Sequence, residues 1–307
     1  MNKRNHKEKV WASYNERWKN WINVYEEIVN KIADPTYVVR NEAVINQVHR
    51  FVIAYEYIKN NHKKGAKIID AACGIGFNTC YLNKQGYNTI GFDFSPIAIE
   101  RARELEISLG LKSTAFVNKD HSYLSDVSDE SIDVVLAMGY LRYVNDETRD
   151  FIYRNVARIL KKGGNFIISN TNQLFAMFAL NDETLKFWSE IIEDFSSVKE
   201  LFAPSSILQA MCSRVKVPKR EYAEHSVSKQ IVTHEENPLE YGKVVSKYGF
   251  KIHKIFYPDS HLLPPFLEQS IGREALENIK AKICLSRAED WRSMFMCYEF
   301  LSILVKE

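Results

Sequence analysis

The run Ile68-Ile69-Asp70-Ala71-Ala72-Cys73-Gly74-Ile75-Gly76-Phe77 constrains this chain more than any other stretch. A short apolar run of strand type ends near an acidic residue, passes through two glycines one residue apart, and opens a helical pattern. Glycine lets the backbone turn sharply and approach a ligand closely. The free amides of a new helix's first turn favour an anionic group. Asp93 ends the next strand-like run, TIGFD, where a carboxylate can accept both hydroxyls of a ribose. Together these features define a nucleotide-type site, compatible at this point with a dinucleotide or with S-adenosylmethionine.

The pattern around the turn predicts an α/β fold. Strand KIIDAA, a helix over 77–84, strand TIGFD, a helix over 96–109, strands TAFVNKD and SIDVVLAMG, a helix over 147–161 and strand NFIISN follow one another. Short β-rich runs alternating with helices indicate βαβ units in a doubly wound, mostly parallel sheet. Gly86 and Gly110 read as helix stops, Ser95-Pro96 as N-cap and first helical residue, and Gly163-Gly164 as the end of the helix before NFIISN. After Asn172 the alternation lapses, to resume with NPLEYGKVVSKYG as helix and FKIHKIFY as strand; MFMCYEFLSILVK fits either element on pattern alone.

Residues 1–62 form a helical arm or lid. Trp11, Tyr14, Trp18, Trp21, Tyr25, Ile28 and Ile32 recur at steps of three and four, and Asp34-Pro35 should stop that helix. Most of the stripe suits packing on the main domain, with Tyr14 and Trp18 the residues expected to reach a ligand. A second helix is expected over 42–59, burying Val44, Ile45, Val48, Phe51, Val52, Tyr55 and Ile58. Residues 63–307 form the main domain, with recognition insertions at about 173–236 and 258–292.

Composition removes several classes of function. A net charge of +2 gives no field for nucleic acid or a membrane surface. Five cysteines without a CxxC pair fit a reducing, cytoplasmic setting. No apolar run reaches the ~18 residues of a membrane span, and the basic N-terminus lacks a signal-peptide core. The eight histidines show no metal-ligand spacing, so no metal is expected. Cys73 has no local partner base and suits a small side chain in the turn.

Two residues separate the candidate ligands. A dinucleotide fingerprint beginning at Gly74 would place its third glycine where Thr79 stands. Asp70 would repel a pyrophosphate but suits an ammonium group, which S-adenosylmethionine carries beside its sulfonium. Asp120, after the third strand, can accept from an exocyclic amine, and Phe94 can cover an adenine face.

KIIDAACGIGFNTCYL, TIGFDFSPIAIERARE, FVNKD, SIDVVLAMGYLRYV and RILKKGGNFIIS resemble the successive motifs of class I S-adenosylmethionine-dependent methyltransferases over residues 63–172, more weakly over 237–257. The resemblance implies a Rossmann-like methyltransferase fold, a seven-stranded sheet whose last strand is antiparallel, making MFMCYEFLSILVK a strand. It also implies that Asp70, Ala72, Gly74 and Gly76 border the methionine end, that Asp93 binds the ribose, that Phe94 and Asp120 address adenine with His121 beside them, and that Met138 lies near the methyl group. Ala72 stands where the family carries its first motif glycine, a change small enough to predict slight rearrangement.

Methyl transfer is an in-line displacement that demands alignment and a dry site; a base is needed only when the acceptor is a neutral hydroxyl or a protonated amine. Gly139-Tyr140-Leu141-Arg142-Tyr143 should face the methyl group, because ligands sit at the carboxyl ends of parallel strands. That segment lacks the Asn/Asp-Pro-Pro-aromatic pattern of enzymes acting on base amines. Tyr140, Arg142, Tyr143, His225 and His234 are the candidate acceptor contacts. His234, Tyr140 and His261 are the candidate catalytic groups, although a surface or structural histidine is the commoner outcome for such residues. Asp259 and the group Arg214, Lys216, Lys219 and Arg220 are further candidates. The expected activity is transfer to an oxygen or nitrogen of a small metabolite. Loose resemblance of HEENPLEYGKVVSKYGFKIHKIFY to enzymes of bacterial sugar and polysaccharide modification points to a sugar or phosphorylated conjugate. A nicotinamide-dependent oxidoreductase and a non-catalytic S-adenosylmethionine-binding subunit stay open, as does a homodimer.

Overall fold

The computed structural model describes residues 42–111, 115–180, 183–184, 187, 234–258, 260–261, 264–265 and 288–307. Tyr14, Trp18, His225, Asp259 and the Arg214–Arg220 group lie outside the described residues.

The elements, in chain order, are α1 (Glu42–Asn61), β1 (Lys67–Ala71), α2 (Phe77–Lys84), β2 (Asn88–Asp93), α3 (Pro96–Ser108), β3 (Phe116–Asn118), β4 (Ile132–Ala137), α4 (Asp146–Ile159), β5 (Leu160–Asn172), α5 (Phe175–Ala179), β6 (Glu235–Glu236), α6 (Tyr241–Ser246), β7 (Phe250–Phe256), α7 (Ser293–Met296) and β8 (Glu299–Lys306). Short 3-10 turns occupy His121–Asp126 and Leu141–Tyr143. Ser95 accepts from the Ala98 amide at 3.2 Å with Pro96 next to it, and Asn145 accepts from the Thr148 amide at 2.9 Å. Both are side-chain caps that satisfy amides a helix start leaves unpaired.

The sheet runs β3-β2-β1-β4-β5-β8-β7, with β6 pairing β5 off this path. Strands β1 to β5 pair in parallel, while β8 lies antiparallel between β5 and β7. The expected antiparallel last strand is therefore present, and two-residue β6 adds an eighth. Period-two alternation makes the sheet two-sided. Ile68, Val134, Leu136, Ile167 and Ile303 pack with Phe51, Ala54 and Ile58 of α1. Ile69, Val135, Ile168 and Leu304 pack instead with Ile152, Tyr153 and Val156 of α4 and Tyr241 of α6. A near-continuous apolar run such as that of β4 is what burial on both faces requires.

Two local expectations are corrected. Gly163 and Gly164 do not close a helix: α4 ends at Ile159, Leu160 already pairs with Ile132, and the ladder resumes at Val134 with Asn165. The glycines sit in a bulge, Gly163 at φ 74°, and a Cβ on Gly164 would lie 2.8 Å from the Lys161 carbonyl oxygen. The segment MFMCYEFLSILVK splits, its first residues turning in α7 and the strand beginning at Glu299. No helix among the described residues is long and apolar enough to cross a membrane.

Candidate cofactor and methyl-transfer site

The order reverses about β1, with β2 on one side and β4 on the other. Such a point opens a crevice beyond the strand ends, where α/β proteins bind ligands. The loops after β1, β2, β3 and β4 meet there, and the residues singled out in them come together.

Asp70, on β1, is fully buried and accepts from the Thr79 hydroxyl at 2.8 Å. Burial, opposed in part by that hydroxyl, pushes its carboxyl up to about 7. Thr79, which breaks the dinucleotide fingerprint, thus braces the strand tip. Beyond Asp70 the chain makes its corner through three left-handed residues, Ala72 (φ 56°), Gly74 (φ 55°) and Gly76 (φ 76°). A Cβ on Gly76 would lie 2.4 Å from Phe116 and 2.7 Å from Ala102, so only glycine allows α2, α3 and β3 to close on one another. Cys73 packs in the turn, its Cβ 2.8 Å from where Gly91 would carry one. Burial pushes its thiol well above the ordinary range, which disfavours the thiolate that nucleophilic chemistry requires.

Asp93 ties the corner to β2. Its Oδ2 accepts from the Gly74 amide at 3.0 Å and its Oδ1 from the Ser95 amide at 2.9 Å. Burial raises its pKa against these amides and that of Phe94. Each oxygen retains a second lone pair for a hydroxyl donor. Phe94 follows, half-buried. Asp120 caps the 3-10 turn by accepting from the Ser122 amide at 3.1 Å, and His121 in that turn sets its ring edge-on to Phe151 at 5.3 Å.

Met138 and Gly139 extend from β4. The Gly139 amide donates to Ser169 Oγ at 2.7 Å, and the Arg50 guanidinium backs the turn, 3.2 Å from where a Cβ on Gly139 would stand. Tyr140 sits close enough to Asp93 and Asp120 that both add to burial in raising its phenol well above its ordinary range. A phenol shifted in that direction keeps its proton and so can donate a hydrogen bond.

Arg142, expected as an acceptor contact, is held in a charge cluster. It is buried, pairs with Glu299, and donates to the Tyr298 hydroxyl at 2.9 Å. Arg50 pairs with the other oxygen of the same carboxylate. Burial would push Glu299 up, but the two guanidiniums hold it below the usual carboxylate range. Tyr143 packs against Arg142, its ring centroid 5.1 Å away. His261 is separated from this cluster by aromatic rings: it tilts on Phe175 at 5.2 Å, which packs edge-on to Tyr298 at 5.6 Å. His234 is nearer, its amide donating to the Arg142 carbonyl at 2.9 Å while its ring meets Glu236 at 3.0 Å.

Sequence reasoning missed Arg50, Ser169, Glu236 and Glu299. A buried Arg among the apolar residues of α1 was the available signal for one of them; its partners lie in distant strands. Among the described residues no group of three or more His, Cys, Asp or Glu could hold a metal ion.

Acids on adjacent strand tips at the switch point, with a pinched corner between them, define a class I S-adenosylmethionine-dependent methyltransferase. The chain belongs to the methyltransferase domain family, whose model matches residues 62–249. It is 33% identical over 119 residues to the ubiquinone biosynthesis O-methyltransferase of Xanthomonas oryzae pv. oryzae, covering 38% of this chain and 47% of that protein. It is 26% identical over 137 residues to the chloroplastic tocopherol O-methyltransferase of Arabidopsis thaliana, covering 44% and 38%. The chain thus spans about half or less of these curated relatives. Its fold matches a chain of the complex between the Haloferax volcanii Trm112 methyltransferase activator and a methyltransferase, with a TM-score of 0.50 at 17% identity, covering 91% of this chain and 97% of that one.

Proposed function

We propose that this chain transfers a methyl group from S-adenosylmethionine to a hydroxyl oxygen of a small-molecule acceptor. One observation carries the reading: the carboxylates of Asp70 and Asp93 bracket the Gly74–Gly76 corner, so the start of α2 offers a phosphate two acids where it needs cations. The same donor set fits S-adenosylmethionine. Asp70 would face the ammonium, Asp93 the ribose hydroxyls, Asp120 and Phe94 the adenine, and Met138 and Tyr140 the methyl-bearing sulfur. When bound, the cofactor supplies an electrophilic methyl group and a neutral thioether leaving group. The protein's part is to align the acceptor and exclude water. The two O-methyltransferase relatives support oxygen as the attacked atom.

S-Adenosylhomocysteine should raise the melting temperature in a thermal-shift titration, and NADH should leave it unchanged. Because a cation favours the ionised form of Asp70, affinity should rise with pH through about 7 and binding should release a proton. Stabilisation by NADH alone would overturn the reading.

A further inference from the structure

We infer that His234 is the general base of the site and that buried Glu236 is its positioning residue. The inference rests on the proposed function and names its acceptor class: a hydroxyl that is not ionised when it binds.

The geometry makes the pair a built feature. Two-residue β6 attaches in parallel to the end of β5, Glu235 opposite Thr171 and Glu236 opposite Asn172. On one side the His234 amide donates to the Arg142 carbonyl at 2.9 Å; on the other the Gln173 amide donates to the Glu236 carbonyl at 3.0 Å. The segment is therefore pinned between the carboxyl end of β5 and the Leu141–Tyr143 turn that follows β4. His234 keeps 36% of its side chain exposed, whereas that of Glu236 is 10% exposed. An open imidazole on a buried carboxylate is the arrangement expected of a base held in one tautomer by an orienting acid. Around the pair stand Arg149, 3.8 Å from Glu236, Asp146 at the start of α4, and Arg142 after β4.

Nε2 lies 3.0 Å from Glu236 Oε1; in the tautomer that donates Nε2–H to this carboxylate, the imidazole lone pair is on Nδ1. Nδ1 takes the acceptor's hydroxyl proton as the oxygen forms its bond to the methyl carbon. The carbon–sulfur bond breaks, and its electron pair stays on sulfur as a neutral thioether. The positive charge that leaves the sulfonium reappears on the imidazolium, next to the Glu236 carboxylate, and the proton passes to water. The charge released by the reaction thus ends where the fold has placed a buried anion.

The test compares wild type with His234→Gln, Glu236→Gln and Glu236→Asp. S-Adenosylhomocysteine calorimetry confirms each fold, and 3,4-dihydroxybenzoate and methyl glucoside serve as hydroxyl probes. His234→Gln should lower kcat at least about 100-fold with cofactor affinity unchanged. Glu236→Gln should lower kcat about 10-fold and move the acid limb of the kcat/KM profile down by roughly one pH unit, because the imidazolium loses its anion; Glu236→Asp should restore much of both. Independently of turnover, NMR titration of the His234 imidazole, assigned by its loss in His234→Gln, should show the same downward shift in Glu236→Gln. Full turnover by His234→Gln, an unmoved imidazole titration, or a wild type that binds S-adenosylhomocysteine but methylates neither probe overturns the inference alone. A wild type that does not bind S-adenosylhomocysteine overturns the proposed function with it.

Discussion

Ala72 occupies a left-handed backbone position, φ 56°, inside the cofactor corner. For an L-residue this conformation costs about 1–2 kcal/mol, which glycine would not incur; glycine's freer unfolded chain offsets about 0.4–1 kcal/mol of the gain. Ala72→Gly should therefore stabilise the protein by up to about 1.5 kcal/mol in urea unfolding, with S-adenosylhomocysteine affinity preserved. A destabilised variant would show that the methyl group of Ala72 contributes more packing than its backbone costs. The pair of residues that separates ligand classes in the sequence, Asp70 and Thr79, proves to be one contact in the structure. The sequence could state that Asp70 lies at a strand tip, because strand, corner and helix are local. It could not state that the carboxyl titrates near neutrality, because that depends on burial by elements far along the chain.

At the scale of elements, Gly76 is where α2, α3 and β3 meet. Gly76→Ala adds a Cβ within 3 Å of both Phe116 and Ala102 and forces a left-handed residue. Strain and overpacking together should cost roughly 2–4 kcal/mol, read as a lower denaturation midpoint with the urea slope unchanged. A midpoint within error of wild type would mean that β3 can retreat from the corner. Helices α2 and α3 were legible because their start signals are local: a glycine corner in one case, and in the other Ser95 accepting from the Ala98 amide with Pro96 at the first turn. Strand β6 was not legible. Two residues carry no periodicity, and the Glu235-Glu236 sequence exists as strand only because β5 extends far enough to offer Thr171 and Asn172 as partners. The Gly163-Gly164 bulge is not legible for a related reason, since glycines can end a helix or kink a strand and only the ladder with β4 decides between them.

For the whole molecule, Glu299 on β8 joins the first and last parts of the described chain by holding Arg50 of α1 and Arg142 after β4. Glu299→Gln would leave two buried guanidiniums without their anion and should destabilise by about 3 kcal/mol or more. The depressed pKa of Glu299 gives stability that is present above the ordinary carboxylate range and is lost as pH falls through its folded value. The variant should accordingly lose part of the acid sensitivity of wild type, measured as unfolding free energy between pH 3 and 6 at roughly one-unit steps. An unchanged acid profile would show that the cluster does not control acid stability. The sequence by itself determined the sheet's core, the order of the glycine corner and the acids on its strand tips, since these depend on residues near one another and on periodicities of two and of about 3.6. Only the tertiary structure decided that Arg142 belongs to a charge cluster instead of an open pocket, that Arg50 stands behind Gly139, and that His234 has Glu236 beneath it. Each of these pairings joins distant segments or a strand too short to signal itself, and electrostatic partnership is set by distance in space, which local sequence does not encode.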